Sequence, residues 1–136
     1  LQAALGYSQF LQLKKIVEKK RKIFKWYSAY FKNIDVRLNT DNKDIFNGCW
    51  ATTLIIGKSF NTNAKSLMKY LESRSLPVRP FFAPLSNMKP FKQKTNNKNA
   101  KNLFQKGITL PSALNLNQKQ VKYYSENIIK YLSTKI

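Results

Sequence analysis

Apolar residues recur at helical spacing from the start of the chain. Leu13, Ile16, Val17, Phe24, Tyr27 and Phe31 form one stripe, and Lys14, Lys15, Lys19, Arg21, Lys22 and Lys25 line the other side. The pattern predicts one long helix over residues 1–32, with Glu18 four residues before Lys22 as a favourable pair. Such a helix would span roughly 48 Å at 1.5 Å per residue. That is long for a domain of this size, so the helix is expected to reach beyond its domain and contact something else. Its opening, LQAALG, is rich in small residues that allow close backbone packing. Leu1 falls in mid-pattern and is not Met, so the chain is expected to be a piece of something longer.

Residues 33–48 are polar and turn-like. CWATTLIIG, 49–57, reads as a mostly buried strand closed by Gly57. Residues 62–74 read as an amphipathic helix with Ala64, Leu67, Met68 and Leu71 on one face and Thr62 as cap. Val78–Phe82 can be a short strand, which Pro80 confines to an edge or an irregular part of the sheet. KQKTNNKN, 92–99, reads as a solvated loop, and Ala100–Gln105 as a short helix that Gly107 can end in a left-handed cap. ITLPS, 108–112, is a strand stopped by Pro111. The last helix covers 117–134, capped by Asn117, with Val121, Tyr124, Ile128 and Leu132 as its stripe. The order predicts an α/β (α+β) fold: a long N-terminal helix and a small sheet of about three strands covered by helices.

The chain has 136 residues, 43% of them hydrophobic, which is enough for one domain with a real core. Its formal charge is +19. A strongly basic chain suggests nucleic acid or an anionic surface, and a small basic nucleic-acid-binding module is the competing reading. Lysine carries most of that charge, with 21 Lys against 4 Arg, and the lysines are spread along the whole chain. Bidentate readout of phosphates and guanine edges favours Arg. With 14 Asn besides, the bias reads more as a solvated basic surface than as a dedicated site, so no specific nucleic-acid partner is expected.

Chemistry is narrowed further by what is missing. The chain has no His, which removes His-based metal sites and His general bases. Cys49 is the only cysteine, so no internal disulfide can form, and beside Trp50 it reads as a small buried hydrophobe. No apolar run approaches the roughly 20 residues needed to span a membrane. Asp35, Asp41 and Asp44 lie in the polar segment and are expected to be solvated. SFNTNAK, 59–65, ends in Lys65 after a strand, but its surroundings are polar and no glycine-rich cradle follows, so it reads as an ordinary helix start. Aromatic neighbours such as Tyr123 with Tyr124, Phe81 with Phe82 and Trp26 with Tyr27 could stack bases, but at these spacings they read first as core. The chain by itself shows no complete active site and no metal site.

Four stretches together carry a resemblance. LQAALGYSQFLQLKKIVEKKRKIFKWY resembles the long helix that opens the C-terminal part of DegT-type sugar-nucleotide aminotransferases, which are fold-type I, pyridoxal-phosphate (PLP) enzymes. CWATTLII resembles their first small-domain strand, VRPFFAPLSNMKPF their Arg-Pro-aromatic loop, and GITLPSALNLNQKQVKYYSENIIKYL their Leu-Pro-Ser turn and closing helix. The match runs from Leu1 to about Leu132. RPFF followed by PLS is most like enzymes of the GDP-perosamine synthase kind, although many relatives carry His where this chain has Ser86.

The resemblance implies a linking helix at 1–32 and a C-terminal small domain at 33–136, with the large PLP domain outside the chain. It implies a parent enzyme that moves an amino group from glutamate to a nucleotide-linked 4-keto-6-deoxy sugar. That enzyme would be a cytoplasmic homodimer in polysaccharide biosynthesis. The catalytic lysine, the aspartate that pairs with the pyridine nitrogen and the phosphate-binding residues have no match here, so the chain alone is expected neither to hold PLP nor to turn over. Its expected partners are its own large domain and a second subunit. The substrate-binding candidates are Arg79, Phe81, Phe82 and Ser86. Arg79 is expected to meet an anionic substrate group, with a salt bridge to a local acid as the alternative. Phe81 and Phe82 should point to opposite sides if the strand continues through them, one into the core and one toward the missing domain.

Overall fold

A computed structural model of the chain describes residues 1–91 and 97–136. Its helices are α1 (Gln2–Leu11), α2 (Leu13–Phe31), α3 (Ala64–Glu72), α4 (Lys98–Lys106) and α5 (Gln118–Ser133). Its strands are β1 (Val36–Leu38), β2 (Thr52–Ile56), β3 (Arg79–Pro80) and β4 (Gly107–Leu110). Two 3-10 turns, Leu85–Asn87 and Lys89–Phe91, follow β3. Part of the loop expected over 92–99 lies outside the described residues, and Lys98 and Asn99 already belong to α4.

The strands form one antiparallel sheet in the order β1-β2-β4-β3. The sheet has one strand more than the sequence pattern suggested. The addition is β1, within the segment read as turn-like; it pairs Val36 with Ile56 and Leu38 with Leu54. Three residues leave too little alternation to see in sequence. β3 sits at the opposite edge, where a proline costs no ladder hydrogen bond.

Thr52, Leu54 and Ile56 alternate onto the buried face, which Ile108 and Leu110 of β4 extend. Against them pack Ile23, Tyr27 and Phe31 of α2, Leu67 and Leu71 of α3, and Val121, Ile128 and Leu132 of α5. The two long helices, α2 and α5, lie against each other.

The long helix is broken at Gln12, whose backbone (φ −102°, ψ 0°) leaves the helical region. The amide of Gln12 turns back to the Gln9 carbonyl, and regular bonding resumes with Ile16 N–H to the Gln12 carbonyl at 3.0 Å. Only the second half of the apolar stripe is covered. Leu13 is half exposed, no residue of α1 is buried, and Ile23 joins Phe24, Tyr27 and Phe31 inside. The Glu18–Lys22 pair does not close to ion-pair distance among the described residues. The Lys22 ammonium lies 5.7 Å from the Trp26 ring centre instead.

Local chemistry fixes the remaining ends. Asn63, not Thr62, caps α3 by accepting from the Ser66 amide at 3.0 Å. Asn117 caps α5 as expected, in a capping box with Gln120. Gly107 is not a left-handed cap: it is extended and passes straight from α4 into β4. Its glycine is required for another reason, because a Cβ there would lie 2.6 Å from the Leu103 carbonyl oxygen. At Gly57 a Cβ would come within 2.0 Å of the Asp35 carbonyl oxygen, where β1 and β2 close on each other.

Candidate functional site

An open cleft of about 630 Å³ lies at the β3 side of the sheet. Arg79 and Thr109, register partners on β3 and β4, form one wall. Pro111, Ser112 and Ala113 continue that wall beyond the end of β4. Tyr124 of α5, Lys20 of α2 and Trp50 also line it. Each element brings its residue for a local reason. Tyr27 donates from its hydroxyl to the Pro111 carbonyl at 3.1 Å and holds the turn after β4. Tyr124 donates to the Pro77 carbonyl at 3.3 Å and holds the entry to β3.

Lys20 ties the walls together. Its ammonium donates to the Trp50 carbonyl at 3.1 Å and to the Ser112 carbonyl. Burial lowers its pKa, because desolvation disfavours the charged form. Burial likewise raises the Tyr124 phenol. The cleft therefore presents one donor already committed to backbone, Lys20, and one exposed guanidinium, Arg79. Neither ion pair among the described residues involves Arg79.

Trp50 stands on a segment held by side chains. Arg21 makes a two-pronged pair with Asp41, at 3.2 and 3.1 Å, and donates to the Asn47 carbonyl. Asn47 donates to the Thr40 carbonyl and accepts from the Cys49 amide. Asn39 bonds both Ala51 and Thr53. Cys49 is buried as expected and adopts a left-handed backbone, φ 50°, that turns the chain into β2. Burial raises its thiol pKa, with Asp41 adding to the effect and Arg21 opposing it. Trp50 was expected within a mostly buried strand, but β2 begins only at Thr52 and the indole is 71% exposed. Asp41 is not merely solvated, since it holds Arg21, and Asp35 accepts from both the amide and the hydroxyl of Ser59.

The four substrate-binding candidates are only partly gathered. Arg79 lines the cleft. Phe82 is 68% exposed, with its ring centre 6.3 Å from that of Trp50. Phe81 is half-buried, and its amide donates to the Gly107 carbonyl at 3.2 Å. Neither phenylalanine joins the core, because regular pairing stops at Pro80 and the strand does not run through them. Ser86 lies on the Leu85–Asn87 turn and does not line the cleft. Its hydroxyl oxygen is buried with no hydrogen-bond partner among the described residues. Lys20 and Trp50 escaped the sequence reading. Lys20 is one of many lysines on its helix, and Trp50 sits in an apolar run; neither carries a signal of its own.

No set of described residues fits PLP. The lysine with a lowered pKa, Lys20, is bonded to two carbonyls. Lys65 is exposed on the first turn of α3. No aspartate lines the cleft, and no group of three or more metal-binding side chains occurs among the described residues. No helix of the described residues is long and apolar enough to cross a membrane.

The DegT/DnrJ/EryC1/StrS aminotransferase family profile matches residues 1–129. Two curated relatives are GDP-perosamine synthases, from Vibrio cholerae (28% identical over 134 residues) and Escherichia coli O157:H7 (29% over 136). The matches cover 96% and 98% of this chain, which spans 36% of the length of each relative. Among solved structures, the Helicobacter pylori aminotransferase PseC, involved in pseudoaminic acid biosynthesis, superposes with a TM-score of 0.82 at 20% identity. That match covers 98% of this chain and 37% of PseC.

Proposed function

Because the chain belongs to the DegT/DnrJ/EryC1/StrS aminotransferase family, we propose that it is the small-domain part of a PLP-dependent sugar-nucleotide aminotransferase. The whole enzyme would move an amino group from glutamate to a nucleotide-linked 4-keto-6-deoxy sugar, as a cytoplasmic homodimer. PLP supplies the electron sink for that transfer, and the residues that hold it belong to a domain outside this chain. What this chain contributes is half of a substrate cleft. The observation that carries the reading is the exposed Arg79 guanidinium in an open cleft whose other cation, Lys20, is committed to backbone.

A fork of N–H donors suits a substrate carboxylate or phosphate, and charge-assisted bonds to such groups are the strong ones. Phe81, Phe82 and Ser86 remain in the reading as neighbours of that anion site, set by the prolines of the same segment. The competing nucleic-acid module is weakened at one of its candidate stacking pairs, Trp26 with Tyr27, because Tyr27 is core.

The test has two arms. The isolated chain, incubated with PLP, is expected to show no lysine-linked absorbance that borohydride abolishes; such a band would overturn the reading. The chain joined to the polypeptide encoded upstream is expected to convert a GDP-linked 4-keto-6-deoxy sugar and glutamate to the 4-amino sugar and 2-oxoglutarate. In that protein Arg79→Ala should lower kcat/KM by roughly 10- to 100-fold, the scale of one lost hydrogen bond to a charged group. An unchanged kcat/KM removes Arg79 from the site.

A further inference from the structure

Trp50 poses a physical problem that the proposed activity does not by itself resolve. An indole left 71% exposed forgoes the stabilisation that burial gives, yet the segment beneath it is fastened at every turn. Arg21 grips Asp41 with both nitrogens and also holds the Asn47 carbonyl. The Phe46 ring stacks on the same guanidinium, 4.5 Å from its carbon. Asn47 in turn holds the Cys49 amide at 2.8 Å, and Lys20 holds the Trp50 carbonyl. The backbone at Cys49 is left-handed, a conformation that costs a non-glycine residue free energy unless its surroundings impose it. These bonds fix where the Trp50 backbone leaves the loop. They place the indole on the lining of the cleft that holds Arg79, with Phe82 at its edge.

We propose that Trp50 is a stacking wall for one ring of a phosphate-bearing ligand, with Arg79 as the phosphate's partner, and that Arg21 is the positioning residue that latches this wall. The inference rests on the reading of the chain as part of a sugar-nucleotide enzyme and names the subsite within it. Two rings on such a ligand could fill the role: the nucleotide base, through its π-face, or the hexose, through its C–H face. Both need the same aromatic surface beside a guanidinium. Arg21 does not touch the ligand; it acts through Asp41, Asn47 and the loop.

The chain has two tryptophans, Trp26 and Trp50. Trp26→Phe therefore leaves Trp50 as the sole indole reporter. In that background we expect GDP-mannose to quench Trp50 fluorescence saturably. GDP alone and mannose 1-phosphate, run separately, tell the base from the hexose. Because Trp50→Ala removes the reporter, its affinity is read by calorimetry and should fall about tenfold or more. Arg21→Ala should lower the anisotropy of Trp50 and weaken GDP-mannose, with far-UV circular dichroism retained. Arg21→Lys, which keeps the charge but loses the two-pronged geometry, should not restore either.

No quenching by any of the three probes overturns the stacking wall, as does an unchanged affinity in Trp50→Ala. Unchanged anisotropy in Arg21→Ala overturns the latch. If the joined protein transaminates while the Trp50 variant keeps its KM for the sugar nucleotide, the subsite falls and the proposed activity stands. Absence of transamination with Trp50 quenching intact sinks the activity alone.

Discussion

Asp35 is an exposed carboxylate that nonetheless has a structural task. It accepts the Ser59 amide at 3.0 Å and the Ser59 hydroxyl at 2.7 Å, and its own carbonyl takes the Gly57 amide. The Ser59 amide bond, foremost, and then the hydroxyl bond lower its pKa below the ordinary 3.8. A carboxylate whose folded pKa is depressed stabilises the fold above its unfolded value, and that stabilisation is lost as pH falls through the folded value. Asp35→Asn should therefore shift the urea midpoint at pH 7, and the gap to the parent should narrow below pH 3.8. Equal gaps at pH 7 and pH 3 would remove the charge from the account. Arg79 and Ser86 illustrate how unequally the sequence speaks at this scale. An Arg before Pro in an apolar segment stands out among 21 lysines, and the structure sets it on a cleft. Ser86 stood out only by comparison with relatives, and its buried hydroxyl oxygen has no hydrogen-bond partner among the described residues.

Elements here end where a close approach or a side-chain cap forces them to. Gly57 closes β2 because the backbone of Asp35 leaves no room for a methyl group. Gly57→Ala must push two antiparallel strands apart, and a cost of about 1–3 kcal/mol is expected from such overpacking. Chemical denaturation measures it; an unchanged midpoint would mean that the β1–β2 closure yields freely. The caps were legible to different degrees. Asn117 and Gln120 are three apart before an apolar stripe, a pattern with few rivals. Thr62 and Asn63 are adjacent and equally able to cap, so only the backbone path, with Asn63 extended at φ −137°, decides between them. β1 was invisible because pairing with β2, not alternation within three residues, makes it a strand.

Across the whole molecule, the apolar surface is unevenly covered. Leu1, Leu5, Tyr7, Phe10 and Leu11 are each at least 65% exposed, all at one end of the chain, while α2 is sealed against α5 and the sheet. Exposed apolar surface of this kind drives association. The isolated chain is expected to self-associate at high concentration, and Leu5→Glu with Phe10→Glu should return it to a monomer. Solution scattering of the parent chain as a compact monomer at high concentration would sink this expectation. The charge of +19 predicts a second, weaker behaviour. Oligonucleotides should bind at low salt and release at physiological salt, since scattered lysines neutralise phosphates without reading them. Binding that persists at physiological salt would favour a dedicated nucleic-acid surface.

Local spacing sufficed for the helical course of α2, though not for its break from α1 at Gln12, and for α3, α5, the β2 and β4 cores and the edge position of Pro80. Each depends on residues within one or two turns of one another, where period and composition act directly. The cleft depended on the tertiary structure. Lys20, Trp50, Arg79, Ser112 and Tyr124 come from separate parts of the chain, and no local pattern links a lysine on α2 to the carbonyls of Trp50 and Ser112. The same holds for the loop that Arg21 fastens across 20 residues to Asp41. Packing of α2 against the sheet brings these groups together, so long-range burial decided the site while short-range periodicity decided its scaffold.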